Sequence, residues 1–171
     1  MIIMTEKLAL SALVRNRAGV LQRVVGLLAR RGYNIQSLTV CDTENDDFSR
    51  MTIVAQVEPS QFNQVEQQIL KLEDVMSIVR LTEENVISSE LLLIKVHCVN
   101  KDRAKVLKTI GAYGARVKDI GHITITAELT GESARIDEFI SAMSAHGIVE
   151  LSRSGMTALE SGDKAINEKQ S

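Results

Sequence analysis

The chain has 171 residues, of which 44% are hydrophobic and 25% charged, and its formal net charge is −2. These values are typical of a globular protein of one or two domains, and they provide no electrostatic attraction to nucleic acid or anionic membranes. Aromatic residues make up only 3%, which argues against the base-stacking sheets of RNA-binding domains. No apolar run approaches the roughly 20 residues of a membrane span, and the first residues lack the apolar core of a signal peptide. We therefore expect a cytoplasmic protein with no nucleic-acid or membrane partner.

The first half of the chain predicts the element order βαββαβ. Alternating apolar residues or β-branched runs predict four strands, over residues 8–14, 34–42, 51–57 and 75–81. Apolar residues at helical spacing predict two helix faces: Val20, Leu21, Val24, Leu27 and Leu28 in the first, and Phe62, Val65, Ile69 and Leu72 in the second.

The first helix has recognisable ends. Asn16 stands where an N-cap belongs, and Gly32 stands where a left-handed residue closes the helix. Gly19 has no side chain to obstruct the first turn, whose backbone N–H groups lack partners within the helix. A carboxylate therefore has room to bind there. A simple capped helix start is the alternative interpretation of the same residues.

The second half repeats the pattern after about 83 residues, measured from Leu8 to Leu91. Strands are predicted over residues 92–98, 115–120, 123–129 and 148–152, with helix faces at Ala104, Leu107, Ile110 and Tyr113 and at Ile136, Phe139, Ile140 and Met143. We expect one domain over residues 1–82, a polar linker over 83–89 and a second domain over 90–171. Its polar end, from Gly155 to Ser171, is expected to fray or to dock on a partner.

These elements predict an α+β protein of two successive ferredoxin-like βαββαβ domains, each an antiparallel sheet with helices on one face. Such small domains leave the other face or the sheet edges open. Pairing with a second copy would cover them, so we expect a homodimer. In the usual strand order the second strand lies at an edge, where two copies can pair and bring Asn34 of one chain near the helix start of the other.

Catalytic and metal sites are difficult to assemble from this sequence. His97, His122 and His146 come from a predicted strand, turn and helix end, and no Cys or Glu stands at metal-ligand spacing beside them. Cys41 and Cys98 are expected to be small buried residues. The carboxylates between Asp42 and Asp47 lack the spacing of a calcium loop and indicate a solvated turn. The sequence therefore predicts no catalytic residue and no metal site.

Four stretches resemble one family. They are Asn16-Arg-Ala-Gly-Val-Leu, Arg31-Gly-Tyr-Asn-Ile-Gln-Ser-Leu-Thr-Val40, Ser49-Arg-Met-Thr-Ile53 and, near the end, Arg153-Ser-Gly with Ala-Leu and Gly-Asp-Lys164. The first stretches resemble an ACT domain, the amino-acid-sensing form of this fold. All four in this order resemble the small regulatory subunits of acetolactate synthase (acetohydroxyacid synthase), which begin with an ACT domain.

The resemblance implies a subunit without its own active site or cofactor. It implies binding and activation of a large catalytic subunit that carries thiamine diphosphate, magnesium and FAD, and feedback inhibition by valine or another branched-chain amino acid. In this sequence the implied effector contacts are Asn16, Ala18, Gly19, Val20, Asn34 and Ile35, with the dimer formed through the ACT domains. Two alternatives stay open: a free-standing ACT-domain sensor that regulates another enzyme or transcription, and an independent small enzyme.

Overall fold

A computed structural model describes residues 5–167, which form two compact units. The first unit contains the residues up to Ile87 together with those from Met156 onward, and the second is Ser88–Gly155. Within residues 5–167 no helix is long and apolar enough to cross a membrane.

The first unit has the predicted order βαββαβ. Its elements are β1 (Glu6–Arg15), α1 (Val20–Arg30), β2 (Asn34–Asp42), β3 (Phe48–Val57), α2 (Phe62–Leu70) and β4 (Val75–Leu81), with a 3₁₀ turn over Pro59–Gln61 before α2. The four strands form an antiparallel sheet in the order β2-β3-β1-β4. β2 therefore lies at an edge of the sheet, as the sequence predicts.

Alternation along the strands directs one set of side chains to the helices. Leu8, Leu10, Ala12 and Val14 of β1 and Met51, Ile53, Ala55 and Val57 of β3 are buried with Val20, Val24 and Leu28 of α1 and Val65 and Ile69 of α2. Leu21, predicted to share this face, is 43% exposed. It follows Val20 by one residue, which turns it about 100° away from the core.

The second unit repeats the order with a second sheet. Its elements are β5 (Val86–His97), α3 (Arg103–Ala112), β6 (Arg116–Ile120), β7 (Thr124–Gly131), α4 (Ser133–Ser144) and β8 (Ile148–Arg153). The antiparallel strands follow the order β6-β7-β5-β8. A further short strand, β9 (Thr157–Glu160), belongs to the first unit. Aliphatic residues and Phe139 form a separate core. The predicted α+β class and the two ferredoxin-like repeats are confirmed.

The buried face of α3 differs from the prediction. Val106 and Ile110 are fully buried, whereas Leu107 is 38% exposed and Ala104 is also exposed. Both Val106 and Leu107 fit a helical repeat with Ile110, because spacings of three and four residues are both compatible with one face. Spacing alone therefore cannot decide between neighbouring apolar residues.

The segment expected to be a linker is partly a strand. Residues 83–85 form a turn, in which the Asn85 amide N–H donates to the Thr82 carbonyl (3.1 Å), but β5 begins at Val86 and continues without interruption to His97. Residues 83–89 are mostly polar and therefore indicate a linker, but they include the β-branched pair Val86 and Ile87, which favours a strand.

Residues 156–167, called here the returning segment, pack on the first unit's own sheet. Ala158 and Ile166 are buried against Leu13, Val79 and Leu81, on the face away from α1 and α2. The sequence predicts that this stretch belongs to the second domain and frays or docks on a partner, so the structure differs. Residues 168–171 of the predicted tail lie outside the described residues.

Hydrogen bonds hold the returning segment to the first unit, including one from the Ser161 N–H to the Asn85 carbonyl (2.8 Å). The buried Ser77 hydroxyl donates to the Ile166 carbonyl (2.8 Å), and the Met156 amide N–H donates to the Ser37 hydroxyl of β2 (3.2 Å). The face that a second copy was expected to cover is therefore largely covered within one chain. The β2 edge is left as the candidate surface for pairing.

Candidate functional site

The start of α1 is shaped by Gly19. Its backbone has φ 87° and ψ −10°, the left-handed conformation that the third position of a type II turn requires. The turn closes through the Val20 N–H, which donates to the Arg17 carbonyl (3.3 Å). Gly19 is also the N-cap, and its carbonyl accepts the first helical hydrogen bond from the Arg23 N–H (3.0 Å). The prediction that Asn16 caps the helix is wrong.

The open end of the helix presents backbone donors. The N–H groups of Leu21 and Gln22 precede the first helical hydrogen bond, and no side chain of the described residues caps them. A Cβ placed on Gly19 would meet no other described atom within 4 Å. The first turn also contains no acidic residue. This surface therefore combines unobstructed access with the partial positive charge of a helix N-terminus.

Asn16 joins this helix start to the loop after β2. Its side-chain amide donates to the Asp42 Oδ1 atom (3.3 Å) and to the Asp46 carbonyl (3.1 Å), and its own N–H donates to the Asp47 carbonyl (2.8 Å). Because the amide nitrogen is used in this way, the amide oxygen is the polar atom that Asn16 can offer to a ligand. The end of β2 is thereby fixed beside the start of α1.

The other predicted contacts divide into two groups. Ala18 is exposed next to Gly19, and Val20 is buried in the core beneath the turn. Asn34 is exposed opposite Gln56 at the beginning of β2, and Ile35 is half-buried on the core.

One chain does not bring these groups together. Asp42, at the end of β2, contacts Asn16. Asn34 is eight residues earlier on the same strand, which corresponds to a separation of about 26 Å. A site that contains both Asn16 and Asn34 therefore requires a second copy of the chain.

Sequence reasoning missed Asp42 as a neighbour of the helix start. The sequence indicates a solvated turn for Asp42, whereas its carboxylate accepts a hydrogen bond from Asn16, which lies 26 positions earlier in the sequence. The βαβ geometry gives the only signal for it, because the end of a strand antiparallel to α1 must lie near the beginning of that helix.

The other side chains considered for a metal or catalytic site do not form a cluster. Within residues 5–167 no group of three or more His, Cys, Asp and Glu side chains is placed to hold a metal ion. Cys98 is buried, but Cys41 is exposed near the end of the edge strand, contrary to the prediction that both are buried. The His146 Nε2 atom lies 3.1 Å from the Thr109 hydroxyl.

Comparison with known proteins identifies the family. Residues 10–77 match the AHAS small subunit-like ACT domain, and residues 89–162 match the small subunit of acetolactate synthase. The acetolactate synthase small subunit of Mycolicibacterium smegmatis is 40% identical over 157 residues, covering 92% of each chain. The chain belongs to the family of acetolactate synthase small subunits.

Further relatives agree with this assignment. A probable acetolactate synthase small subunit of Archaeoglobus fulgidus is 40% identical over 158 residues, covering 92% of this chain and 99% of its own. The crystal structure of the Thermotoga maritima small subunit matches with a TM-score of 0.84 at 28% identity, covering 93% of this chain and 99% of that one. Membership of the family supports the regulatory role that the resemblance implies.

Proposed function

We propose that the chain is the regulatory partner of an acetolactate synthase catalytic subunit, which it activates and to which it confers feedback inhibition by a branched-chain amino acid, valine or a close relative. The relatives' names support the catalytic partner. The observation that carries the effector site is the contact between Asn16 and Asp42, because it fixes the end of the edge strand beside an open helix start.

The proposed site forms between two copies. When two β2 strands pair antiparallel across a two-fold axis, the beginning of one strand lies opposite the end of the other. Asn34 and Ile35 of one copy then approach Asn16, Ala18 and Gly19 of its partner. The sheet edge supplies the pairing surface. The start of α1 supplies backbone N–H groups that have no side-chain cap within one chain.

The ligand groups match the chemistry available. The effector carboxylate accepts hydrogen bonds from the N–H groups at the start of α1, and such charge-assisted bonds are roughly twice as strong as neutral ones. Its ammonium group donates to the side-chain oxygens of Asn16 and the partner copy's Asn34. The branched side chain packs on Ile35 and on the exposed part of Leu21. An amino acid with a longer polar side chain would leave its polar atoms unpaired on this surface.

Inhibition follows if the effector changes how the two copies pair. The energy that such a change transmits to a partner is typically about 1–3 kcal/mol, which corresponds to about a 5–150-fold change in affinity. The catalytic chemistry, with the thiamine diphosphate, magnesium and FAD that the resemblance implies, belongs to the partner subunit. This chain contributes an equilibrium between two ways in which its two copies pair, and the effector shifts that equilibrium.

Substitution of Gly19 tests the site. In Gly19→Asp a carboxylate stands where the effector carboxylate binds, so valine inhibition of the reconstituted enzyme should be lost, with at least about a tenfold rise in the valine concentration required. Activation of the catalytic subunit should persist. The measurement is a valine titration of acetolactate formation.

Gly19→Asn is the matched control. Asn tolerates the left-handed backbone at least as well as Asp and has nearly the same size, but it has no charge. Weaker but measurable inhibition is expected. Full valine inhibition of Gly19→Asp would overturn the effector site, and an equal loss in both variants would assign the effect to shape rather than charge.

A further inference from the structure

A cavity of about 200 Å³ lies inside the first unit, between the sheet and the returning segment. It is far larger than the ~10–15 Å³ that one water needs. Its lining combines the apolar residues Val79, Leu81 and Ile166 with the polar residues Ser11, Arg50, Glu160 and Lys164. A small molecule with a short aliphatic body and an anionic end matches this mixed lining.

Arg50 is a charged residue that lines the cavity. It lies on β3, on the sheet face away from the helices, and its Nη1 atom donates to the buried Ser11 hydroxyl of the neighbouring strand β1 (3.2 Å). Burial lowers the pKa of the Arg50 guanidinium from its ordinary value, while Glu44 and Glu160 act in the opposite direction. Arg50 is thus a positively charged group held in position and partly removed from water.

Two stretches that the effector site does not use meet at this cavity. Arg50 belongs to Ser49–Ile53, and Lys164 belongs to the Gly-Asp-Lys stretch near the chain's end; both stretches contribute to the family resemblance. They are more than 100 positions apart in sequence, and the returning segment brings them together. Glu160 also lines the cavity, so an ammonium group on the ligand would have an acceptor.

We propose that this cavity is a second ligand site, which binds a small monocarboxylic acid with a short branched aliphatic body. The carboxylate pairs with Arg50 and Lys164, whose donors suit an anionic oxygen. The aliphatic body packs on Val79, Leu81 and Ile166. The site is complete within one chain, whereas the effector site at α1 requires two, and it goes beyond the regulatory function proposed above.

The test uses the full chain carrying Gly19→Asp, which removes the effector site from the measurement. Backbone amide NMR shifts are followed during titration with 3-methylbutanoate, with valine, and with 3-methylbutanamide as an uncharged control of the same shape. Saturable shifts at Ser11, Val79 and Ile166 with either acid, and none with the amide, support the proposal. Tighter binding of valine would indicate that Glu160 accepts from an ammonium group, and tighter binding of 3-methylbutanoate would indicate that it does not.

Variants of the cations identify the anion-binding groups. Arg50→Gln should weaken acid binding by about tenfold or more. Because Arg50 is half-buried and this variant can lose structure, the exposed Lys164→Gln provides the second measurement and should weaken binding several-fold. Lys71→Gln, at an exposed lysine after α2, should leave binding unchanged.

Two results would overturn the proposal. One is the absence of saturable shifts at the cavity with both acids. The other is acid binding in the wild-type chain that shifts only residues at the start of α1; that result would leave the effector site standing. Conversely, valine titration of the wild-type chain that gives saturable shifts at the cavity and none at the start of α1 would refute the effector site alone.

Discussion

Asn16 and Asn34 are both exposed asparagines, but the fold gives them different roles. Asn16 is held by Asp42 and Asp46, so its amide is fixed before any ligand arrives. Asn34 stands at the first position of an edge strand, with its side chain exposed. A held group loses little freedom on binding, whereas an exposed one must be ordered by the ligand or by the second copy.

Asn34→Ala should therefore weaken valine binding without destabilising the fold. Loss of a hydrogen bond to a charged ammonium group typically costs about 1.5–3 kcal/mol, so affinity should fall about tenfold or more. Calorimetric titration with valine measures the change. Gln67→Ala, at an exposed amide on α2, is the control and should bind as the wild type does. Unchanged affinity in Asn34→Ala would remove Asn34 from the site.

The sequence predicts single residues well where backbone geometry decides their role. Gly32 has φ 74°, as its position after α1 requires, and the Tyr33 N–H closes the helix on the Leu28 carbonyl (3.2 Å). The sequence predicts Asn16 as the N-cap, but its side chain donates hydrogen bonds to a loop distant in sequence rather than to the adjacent helix. Long-range polar contacts of this kind leave no periodic signal.

At the scale of elements, local patterns predict the strands and helices but not what covers the second face of a sheet. Alternation identifies the residues of β1 and β3 that face the helices, because apolar side chains recur at every second position. Most of the intervening residues of these two strands are also buried, including Ser11, Thr52 and Val54. The polar character of Ser11 and Thr52 suggests an exposed face although Leu13 and Val54 are apolar, and only the three-dimensional fold reveals the returning segment above them.

Ile166 provides a test of that packing. It is only 5% exposed although it lies near the end of the described chain. Ile166→Ala should lower the free energy of unfolding by about 2–4 kcal/mol, because it leaves a void against Val79 and Leu81. Urea denaturation followed by circular dichroism gives the value.

Leu159→Ala is the control, since Leu159 lies in the same segment but is 53% exposed. Its effect should stay within about 0.5 kcal/mol. Equal stabilities of Ile166→Ala and the wild type would mean that the returning segment does not contribute to the first unit's folded state in solution.

At the scale of the whole molecule, the chain contains two copies of one fold with different surroundings. In the first unit the returning segment packs on the sheet face that lies away from α1 and α2, and β2 remains at an edge of that sheet. In the second unit a buried Glu90 carboxylate accepts hydrogen bonds from Arg153 (2.7 and 2.9 Å) and from Ser133, which ties β5, β8 and α4 together. The duplication was predictable from the repeated pattern, but these differences depend on long-range contacts.

The β2 edge predicts how copies associate. Val40 is 40% exposed in the second half of this strand, and Val40→Lys puts a charged side chain on the edge through which two copies would pair, which disfavours strand pairing. Sedimentation analysis should show a shift from dimer to monomer. Leu70→Lys, at a residue of α2 with 39% exposure, should leave the dimer intact. A dimer that persists in Val40→Lys would contradict pairing through β2.

The order in which the chain is synthesised gives the returning segment a further consequence. The first unit is completed by residues from Met156 onward, which follow the whole of the second unit. Proteins generally begin to fold from the N-terminus while they emerge from the ribosome. Here the sheet that emerges first must keep Leu13, Val79 and Leu81 exposed until the returning segment has been synthesised. During that interval the nascent chain presents an apolar surface for which chaperones and other unfinished chains can compete.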